Sequence, residues 1–544
     1  MSAFLLSATA AIAQTAAVPA TEPEPLELSV SRINSSRDKG YGATNSLGAS
    51  RVAVPLENIP DSLRAADVLR LDSLPLLFAD DSGLAARRDI VRTIHPARPG
   101  AAPVMVGEKP WEGPRIYAFG SVYYDAATKQ YELWYLSVPE AVAEVMVRRA
   151  AGRVPGLRGN GYFLVMYATS PDGVNWTRPN LGLHAFDGSK DNNIVYDLNS
   201  PTVLRDRFET DPAKRYKMLG TIHHNYYAAY SPDGIRWTSA SDKPVLPYSD
   251  TIMLAQDPNT GEYLAYHKRP AVVRGFDRRV VWLSRSRDFL VWSEPQMIFS
   301  ADEADDDWSR KVGERSEVYN MAVFPHAGGY VGLPIMFQMM ELRPRDKMGP
   351  GQSPWAGPLD VQLGTSVDGT NWRRTSPRIP IIPRGAPGTF DGGGILNVSS
   401  TSVDTPTETW VYYTAMATGH GAPIPPKRMT IGRAVWRLHG FASLDAGPDG
   451  GRFETKPLQV AGGKLVLNAD ASRGQVRVAL LEADGKPIAG YELESSEVLK
   501  ADAHQWPVRW KNQAQLPADR PVRVVVEMTS TRFYSLSSGA TPAP

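Results

Sequence analysis

The sequence predicts an all-β protein, a five-bladed β-propeller followed by a small antiparallel β-sandwich. Three observations lead to this prediction. A Ser-x-Asp-x-x-x-Trp segment recurs four times, five groups of short strand-like runs lie within residues 61–444, and residues 445–537 alternate between apolar and polar side chains. Repetition of short antiparallel strand groups over a long chain is typical of propellers.

The repeated segment reads SPDGVNW at 170–176, SPDGIRW at 231–237, SRDFLVW at 286–292 and SVDGTNW at 366–372. Asp-Gly favours a turn, because Gly accepts positive φ and Asp binds its own backbone. We therefore interpret the segment as the turn between the third and fourth strands of a blade, with the Trp packed between blades. A catalytic signature written four times is the alternative that this interpretation replaces.

The strand groups themselves are rich in Tyr, Val, Thr and Trp and are separated by Gly, Asp and Asn. This composition favours strands over helices. The fifth group, within 395–438, lacks the repeated segment. Residues around 78–106 end much as the fourth strands of the other groups do, and we expect them to supply the outer strand that closes the ring, which would remove a free edge.

The two ends of the chain differ from the repeats. Asp-Gly and Gly-Gly turns between alternating runs in 445–537 predict the β-sandwich, an accessory domain, and the tail 538–544 is predicted to be disordered. Residues 1–13 form a short apolar run that ends in Ala-Ile-Ala, which fits the cleavage pattern of a secretory signal peptide. An N-terminal segment, 14–60, follows it, and we expect a periplasmic or secreted protein.

Composition excludes several classes of function. The absence of cysteine excludes disulfides, cysteine-ligated zinc and thiol nucleophiles. A formal net charge of +1 argues against a nucleic-acid partner, and no later apolar run approaches the ~20 residues of a membrane span. No metal-ligand or nucleotide motif appears, so no cofactor is expected; an axial calcium ion stays open without a motif to support it.

We expect the site residues on one face of the ring, where the first strand of each blade begins and the second ends. That face collects carboxylates, histidines and arginines, whereas the other face collects turns. The catalytic candidates are Glu112, Asp250 and Glu317. The substrate-binding candidates are Arg115, His223, His224, His267, Arg269, Tyr319, Asn320, Asp391 and His420.

Two or three carboxylates around an axial pocket suit glycoside hydrolysis, in which one donates a proton and another activates water or attacks carbon. Crowding pushes the pKa values of such carboxyls apart, which supplies both protonation states. Structural alternatives stay open for the same residues. Glu112 or Glu317 could cap a loop, Asp250 could be a turn aspartate, and His223–His224 could be a strand edge.

These inner-strand carboxylates, together with the SPDGVNW…LGL and SRDFLVW turns, resemble those of the five-bladed propeller glycoside hydrolases, the group that contains families 32, 43, 62, 68, 117 and 130. The resemblance covers roughly 60–540. It implies an acid, a base or nucleophile and a pKa-tuning carboxylate on successive inner strands. Here the first blade offers Glu112, the third Asp250 and the fourth Glu317. The chain lacks the NDPNG, RDP and EC motifs of invertases, and its turns are one residue short of the sialidase Asp box.

The resemblance implies an exo-acting glycoside hydrolase of a plant, algal or microbial polysaccharide or oligosaccharide. Glu317 would be the general acid, and Asp250 or Glu112 the base or nucleophile. Two alternatives stay open: a non-catalytic glycan-binding propeller, and an inverting phosphorylase whose axial His and Arg residues hold phosphate. The expected partner is a carbohydrate in each case, and the oligomeric state is not addressed by the sequence.

Overall fold

The structure is a computed structural model. It describes residues 45–46, 54–55, 68–139, 163–247, 250–349, 352–511, 513, 515–517 and 520–538. The chain divides into two compact units, Met1–Ala65 and Ala66–Pro544. In the first, β1 (Asn45–Ser46) and β2 (Val54–Pro55) form an antiparallel pair. The predicted signal peptide 1–13, the rest of segment 14–60 and the tail from 539 lie outside the described residues.

The regular structure described in the second unit is almost entirely β, which confirms the all-β prediction. Its described helical segments are four three-residue 3-10 turns, at Pro212–Lys214, Ala304–Asp306, Arg345–Lys347 and Ala461–Gly463. No helix among the described residues is long and apolar enough to cross a membrane.

Five short strands come first in this unit: β3 (Leu69–Leu71), β4 (Leu76–Leu77), β5 (Leu84–Arg88), β6 (Val91–Ile94) and β7 (Arg98–Pro99).

Five antiparallel groups, called meanders 1 to 5, follow in chain order. Meander 1 contains β8 (Arg115–Tyr117), β9 (Val122–Asp125), β10 (Gln130–Val138), β11 (Leu164–Ser170) and β12 (Ile194–Tyr196). Meander 2 contains β13 (Asn199–Arg205), β14 (Tyr216–Ile222), β15 (Asn225–Ser231) and β16 (Thr238–Ser239). Meander 3 contains β17 (Ile252–Gln256), β18 (Tyr263–Val273), β19 (Phe276–Ser286) and β20 (Gln296–Phe299).

Meander 4 contains β21 (Arg315–His326), β22 (Gly329–Met339), a hairpin of β23 (Glu341–Leu342) and β24 (Trp355–Ala356), then β25 (Leu359–Val361), β26 (Gly364–Ser366) and β27 (Trp372–Arg374). Meander 5 contains β28 (Gly394–Val398), β29 (Val403–Asp404), β30 (Glu408–Met416) and β31 (Met429–Arg437). The outer neighbour of β31 is β7, so residues 98–99 of the 78–106 segment supply the predicted outer strand.

The first strands of neighbouring meanders contact one another from meander 2 to meander 5, and strands of meander 5 also contact meander 1. Meander 1 also pairs directly with meander 5, because β8 runs parallel to β31. Backbone groups of one inner strand bond to the next in three places: Val203 N to Ser121 Oγ at 3.0 Å, Leu254 N to Thr202 Oγ1 at 3.1 Å and Ser400 N to Gly120 O at 2.9 Å. These bonds join meander 1 to meander 2, meander 2 to meander 3 and meander 5 to meander 1.

The remaining strands build two sheets from both ends of the unit. These strands are β32 (Ala442–Ala446), β33 (Gly451–Thr455), β34 (Leu458–Val460), β35 (Leu465–Asp470), β36 (Gln475–Glu482), β37 (Asp502–Pro507), β38 (Val522–Thr529) and β39 (Thr531–Ser538). One sheet has the order β3-β34-β38-β33-β5 with β36 on β38, and the other has β37-β35-β39-β32-β6 with β4 on β39.

This pairing corrects the predicted domain boundaries, which assigned 61–444 to the ring. Strands β3 to β6 and β32 belong to the two C-terminal sheets. The apolar side chains of the early strands need a partner surface, and they find it in the C-terminal core. There the rings of Phe78, Phe453 and Phe533 lie 5.1–5.7 Å apart.

The repeated segments form turns, as predicted. In the fourth copy, Asp368 Oδ1 accepts the backbone N–H groups of Thr370 and Asn371 at 2.8 and 2.7 Å, and Gly369 has a φ of +73°. The Gly369 carbonyl also accepts the hydroxyl of Tyr266 from meander 3 at 3.1 Å. The turn thus joins neighbouring meanders and carries no site residue.

Candidate active site

The centre of the candidate site is an ion pair between Asp250 and Lys268. Asp250 lies two residues before β17, and the pairing of Ile252 with His267 brings the next residue of β18, Lys268, alongside it. Lys268 Nζ lies 2.8 Å from Asp250 Oδ1. The Asp250 side chain is 39% exposed, whereas that of Lys268 is 7% exposed. The carboxylate is therefore open to a ligand while its partner is buried beneath it.

Tyr319 forms the next part of the site. The Lys268 ammonium lies 3.9 Å from the centroid of its ring, which is close enough for a cation–π interaction. Tyr319 sits where the register of β21 shifts between Val318 and Met321, so this strand bulges at the site. Bulges redirect side chains and are common beside active sites.

Glu317, two residues earlier on β21, is a buried carboxylate between two guanidinium groups. Arg315 Nη2 lies 2.9 Å from one of its oxygens, and Arg279 Nη1 contacts the other. Arg279 comes from β19 of meander 3 and also lies 4.5 Å from the centroid of the Trp355 ring. Two guanidinium contacts stabilise negative charge on Glu317.

His420 completes the site from meander 5. Its ring packs on Tyr319 and Phe337, with centroids 5.5 and 5.1 Å apart. Nδ1 lies 2.9 Å from the carbonyl oxygen of Trp355, which can only accept, so Nδ1 carries the proton. Burial, together with the nearby Lys427, lowers the pKa of His420 to about 3. The ring is neutral at pH 7, and its Nε2 is a hydrogen-bond acceptor.

We call Asp250, Lys268, Arg279, Glu317, Tyr319 and His420 the axial cluster. Its members interact electrostatically as one group. Burial alone would raise the pKa of Asp250, but the charges of Lys268 and Arg279 lower it below its ordinary value. Burial lowers the pKa of Lys268, which Asp250 and Glu317 partly offset. Asp250 is therefore ionised at neutral pH.

Lys427 and Arg115 adjoin the cluster beside His420. Lys427 is 4% exposed and donates to the His420 carbonyl. Arg115 pairs with Met429 across β8 and β31, two residues from Lys427. Burial, with a smaller contribution from Arg115, lowers the pKa of Lys427 to about 8.

Glu112 lies elsewhere, before β8, and its carboxylate is fully buried. Four donors occupy it: the N–H groups of Glu108 and Lys109 at 2.9 and 3.1 Å, the Tyr135 hydroxyl at 2.6 Å and Arg178 Nε at 2.6 Å. A carboxylate offers about four lone-pair positions. In this structure Glu112 fixes a loop, which is the structural alternative that the sequence left open.

His267 and Arg269 flank Lys268 on β18 but face away from the cluster. His267 is 1% exposed and lies 3.2 Å from the Ser284 hydroxyl. Arg269 lies 5.5 Å from the centroid of the Trp282 ring. Successive strand residues point to opposite faces of the sheet. His267 and Arg269 therefore lie on the face of β18 opposite to Lys268.

The other predicted residues are divided. Asp391 is buried and accepts the Tyr413 hydroxyl at 2.9 Å, a contact outside the cluster. Asn320 is 2% exposed, and neither of its amide atoms has a partner among the described residues. His223 and His224 are exposed and form the two-residue turn between β14 and β15, and His224 interacts electrostatically with Asp250.

Sequence analysis missed Arg279, Trp355 and Lys427. Arg279 lies on β19, the third strand of meander 3. The sequence analysis considered only the beginnings of first strands and the ends of second strands, but β19 is eleven residues long and its early part reaches the site. Trp355 comes from the extra β23–β24 hairpin. Lys427 lies in the loop between β30 and β31, where only its position near His420 in the sequence offered a signal.

Within the described residues, no three His, Asp or Glu side chains group as ligands for a metal ion.

The chain was compared with known families, curated proteins and solved structures. No protein-family model matches the chain, and no curated protein matches it significantly. Among solved structures, it is similar to a β-fructofuranosidase from Schwanniomyces occidentalis complexed with fructosyl-erythritol, at 10% identity over 82% of this chain and 96% of that chain, with a TM-score of 0.36.

It is also similar to a β-1,2-mannobiose phosphorylase from Listeria innocua, at 11% identity over 62% of this chain and 97% of that chain, with a TM-score of 0.37. A third similar structure is an endo-1,4-β-xylanase from Bacteroides thetaiotaomicron, at 14% identity over 61% of this chain and 92% of that chain, with a TM-score of 0.35.

Proposed function

We propose that the protein is a glycoside hydrolase acting on a polysaccharide or oligosaccharide, with its reaction centre at Asp250 in the axial cluster. One observation carries the proposal. Asp250 is an ionised, partly exposed carboxylate, while Lys268 and the other charged members of the cluster are largely buried around it. A second carboxylate, Glu317, belongs to the same charged group. Paired carboxylates of this kind are the machinery of glycosidases.

Hydrolysis places a hydroxyl group on the anomeric carbon and a proton on the leaving oxygen. Asp250 suits the role of base or nucleophile, because its lowered pKa keeps it ionised at neutral pH. Glu317 is the proposed proton donor. Since Arg279 and Arg315 stabilise its charge, this role requires that substrate draw at least one guanidinium group away.

The surrounding groups can hold a sugar. His420 Nε2 can accept a hydrogen bond from a sugar hydroxyl, and the rings of Tyr319 and Trp355 offer apolar faces for a pyranose or furanose ring. Glu112, whose four acceptor positions are filled, is not part of the proposed catalytic set.

The test is turnover of a panel of polysaccharides and oligosaccharides by wild type, Asp250→Asn and Glu317→Gln. We expect each variant to lose at least about 100-fold in kcat, the usual contribution of an acid or base. Asp233→Asn, in the SPDGIRW turn, is the matched control and should retain kcat. Turnover by wild type that survives both site substitutions would contradict the proposal, as would glycan binding without turnover, which indicates a binding protein.

Folding must be measured alongside, because Glu317→Gln leaves two buried guanidinium groups without their carboxylate. Breaking such a pair costs about 3 kcal/mol. Urea unfolding separates this loss of stability from the loss of catalysis. Activity should stay low at 10 °C in the absence of urea, under conditions in which tryptophan fluorescence shows that the variant is folded.

A further inference from the structure

The candidate site carries more positive than negative side chains. Its cations include Lys268, Arg279, Arg315 and Lys427, and its carboxylates are Asp250 and Glu317. Both carboxylates are already engaged: Asp250 by Lys268, and Glu317 by the two arginines. The site therefore holds an excess of positive charge that its own carboxylates do not offset.

Lys427 shows this excess most clearly. It is 4% exposed, its hydrogen bond is to the neutral carbonyl of His420, and no carboxylate lies within ion-pair distance of it among the described residues. A buried ammonium group without a counter-charge is costly. Its retention beside a ligand site points to a ligand that supplies the missing negative charge.

His420 links Lys427 to the catalytic groups. The imidazole lies within the electrostatic reach of Lys427, Arg279 and Lys268 alike, and its ring packs on Tyr319. A group bound at Lys427 therefore lies beside the surface on which the sugar is proposed to rest. Lys427 occupies the position of a subsite for a substituent of that sugar.

We propose that the substrate is an acidic glycan, whose uronate carboxylate or sulfate ester binds to Lys427. This inference rests on the proposed glycoside hydrolase function. The neighbouring Arg115 adds positive charge to the same subsite. An anion that also drew Arg279 towards itself would relieve Glu317 of one guanidinium contact, which its role as proton donor requires.

The test compares each acidic polysaccharide with its own neutral derivative. Polygalacturonan, glucuronoxylan and a sulfated galactan are assayed beside their carboxyl-reduced or desulfated forms, in phosphate-free buffer at low ionic strength. We expect kcat/KM for the acidic form of the substrate to exceed that for the neutral form at least tenfold. The ratio should fall at 0.5 M NaCl, because salt screens the contact.

Lys427→Gln removes the charge and should bring the ratio of kcat/KM for the acidic form to that for the neutral form close to one. Lys486→Gln, at an exposed sandwich turn, is the matched control and should keep the ratio. Equal turnover of acidic and neutral forms by wild type would overturn the inference and leave the hydrolase proposal intact. Cleavage of a neutral glycan that requires added inorganic phosphate would overturn both proposals, because the anion would then be a co-substrate and the reaction would be phosphorolysis. Absence of turnover on every glycan would overturn both proposals.

Discussion

Lys268 holds Asp250 at 2.8 Å with the same ammonium group that lies 3.9 Å from the centre of the Tyr319 ring. A carboxylate from one meander and an aromatic ring from the next are thus joined through one buried cation. The contact keeps Asp250 ionised and fixes its position relative to Glu317, two residues before Tyr319 on β21. Lys268 is therefore a positioning residue whose removal should be visible in a pH profile.

We predict that Lys268→Met shifts the acidic limb of the kcat/KM profile to higher pH. The positive charge of Lys268 lowers the pKa of Asp250, so its removal raises that pKa, and the base is protonated at a higher pH. The measurement is kcat/KM from pH 3 to 8 on the best glycan of the panel. Lys214→Met, at an exposed lysine, should leave the limb in place; an unmoved limb in Lys268→Met would show that Asp250 is not the titrating base.

The turn between β14 and β15 provides a second prediction. His223 and His224 adopt left-handed φ values of 50° and 64°, which favour Asn and Gly and cost L-residues about 1–2 kcal/mol. We expect the double variant His223→Asn/His224→Gly to unfold at higher urea concentration, with a gain of about 1 kcal/mol. Its kcat/KM should fall several-fold, because His224 interacts electrostatically with Asp250.

The control for this turn is Asp89→Gly, which relieves a φ of 56° between β5 and β6. It should raise stability without changing kcat/KM. If the double variant at β14–β15 is stabilised and fully active, the strained histidines have no part in the site.

The repeated segment gives a third prediction, for stability alone. Hydrogen bonds from Asn371 and Thr370 outweigh burial and lower the pKa of Asp368 to about 2. The carboxylate therefore contributes stability above pH 3.8, and this contribution is lost as pH falls through about 2. We expect Asp368→Ala to cost about 1 kcal/mol at pH 7, as loss of a capping side chain does. Urea unfolding of wild type and variant at pH 7 and 3 measures the difference in their free energies of unfolding. A large loss of kcat at saturating substrate would contradict the assignment of this segment to a structural turn.

Much of this fold follows from local sequence signals. The Asp-Gly turns and the alternation of apolar residues locate the strands because both depend on residues near in the sequence. They do not tell which sheet a strand joins. Strands β3 to β6 were assigned to the ring, yet they pair with β32 to β39, because the match between distant apolar surfaces decides that choice.

The site shows a similar limit at the scale of single residues. The sequence indicated that β18 ends near the site, but not which phase of its alternation faces inward. His267 and Arg269 were selected, whereas the structure turns Lys268 to Asp250. Arg279 and Lys427 come from a third strand and a loop, where no rule based on strand ends could find them. Tyr319 and His420 lie at strand ends of the kind that the sequence identifies, and both belong to the axial cluster.

Lys427 is predicted to lower the stability of the folded protein while contributing to the binding of an acidic glycan. Burial lowers its pKa from 10.5 to about 8, a difference equivalent to about 3 kcal/mol at about 1.4 kcal/mol per unit. Below pH 8 the lysine is charged in both states, and the folded state bears the full penalty. Between pH 8 and 10.5 the unfolded state binds more protons, so wild-type stability gains from this group as pH rises; above 10.5 the penalty is absent.

Lys427→Met should therefore stabilise the protein at pH 7 by about 2 kcal/mol, after about 1 kcal/mol is subtracted for the lost hydrogen bond to the His420 carbonyl. The gain should vanish by pH 10.5, whereas Lys486→Met should change stability at neither pH. Urea unfolding at pH 7, 9 and 10.5 follows the effect. The same variant should lose its preference for acidic glycans, so that one substitution increases stability and removes recognition. A variant that is less stable than wild type at pH 7 would show that the ammonium group is satisfied within the folded protein and needs no anionic ligand.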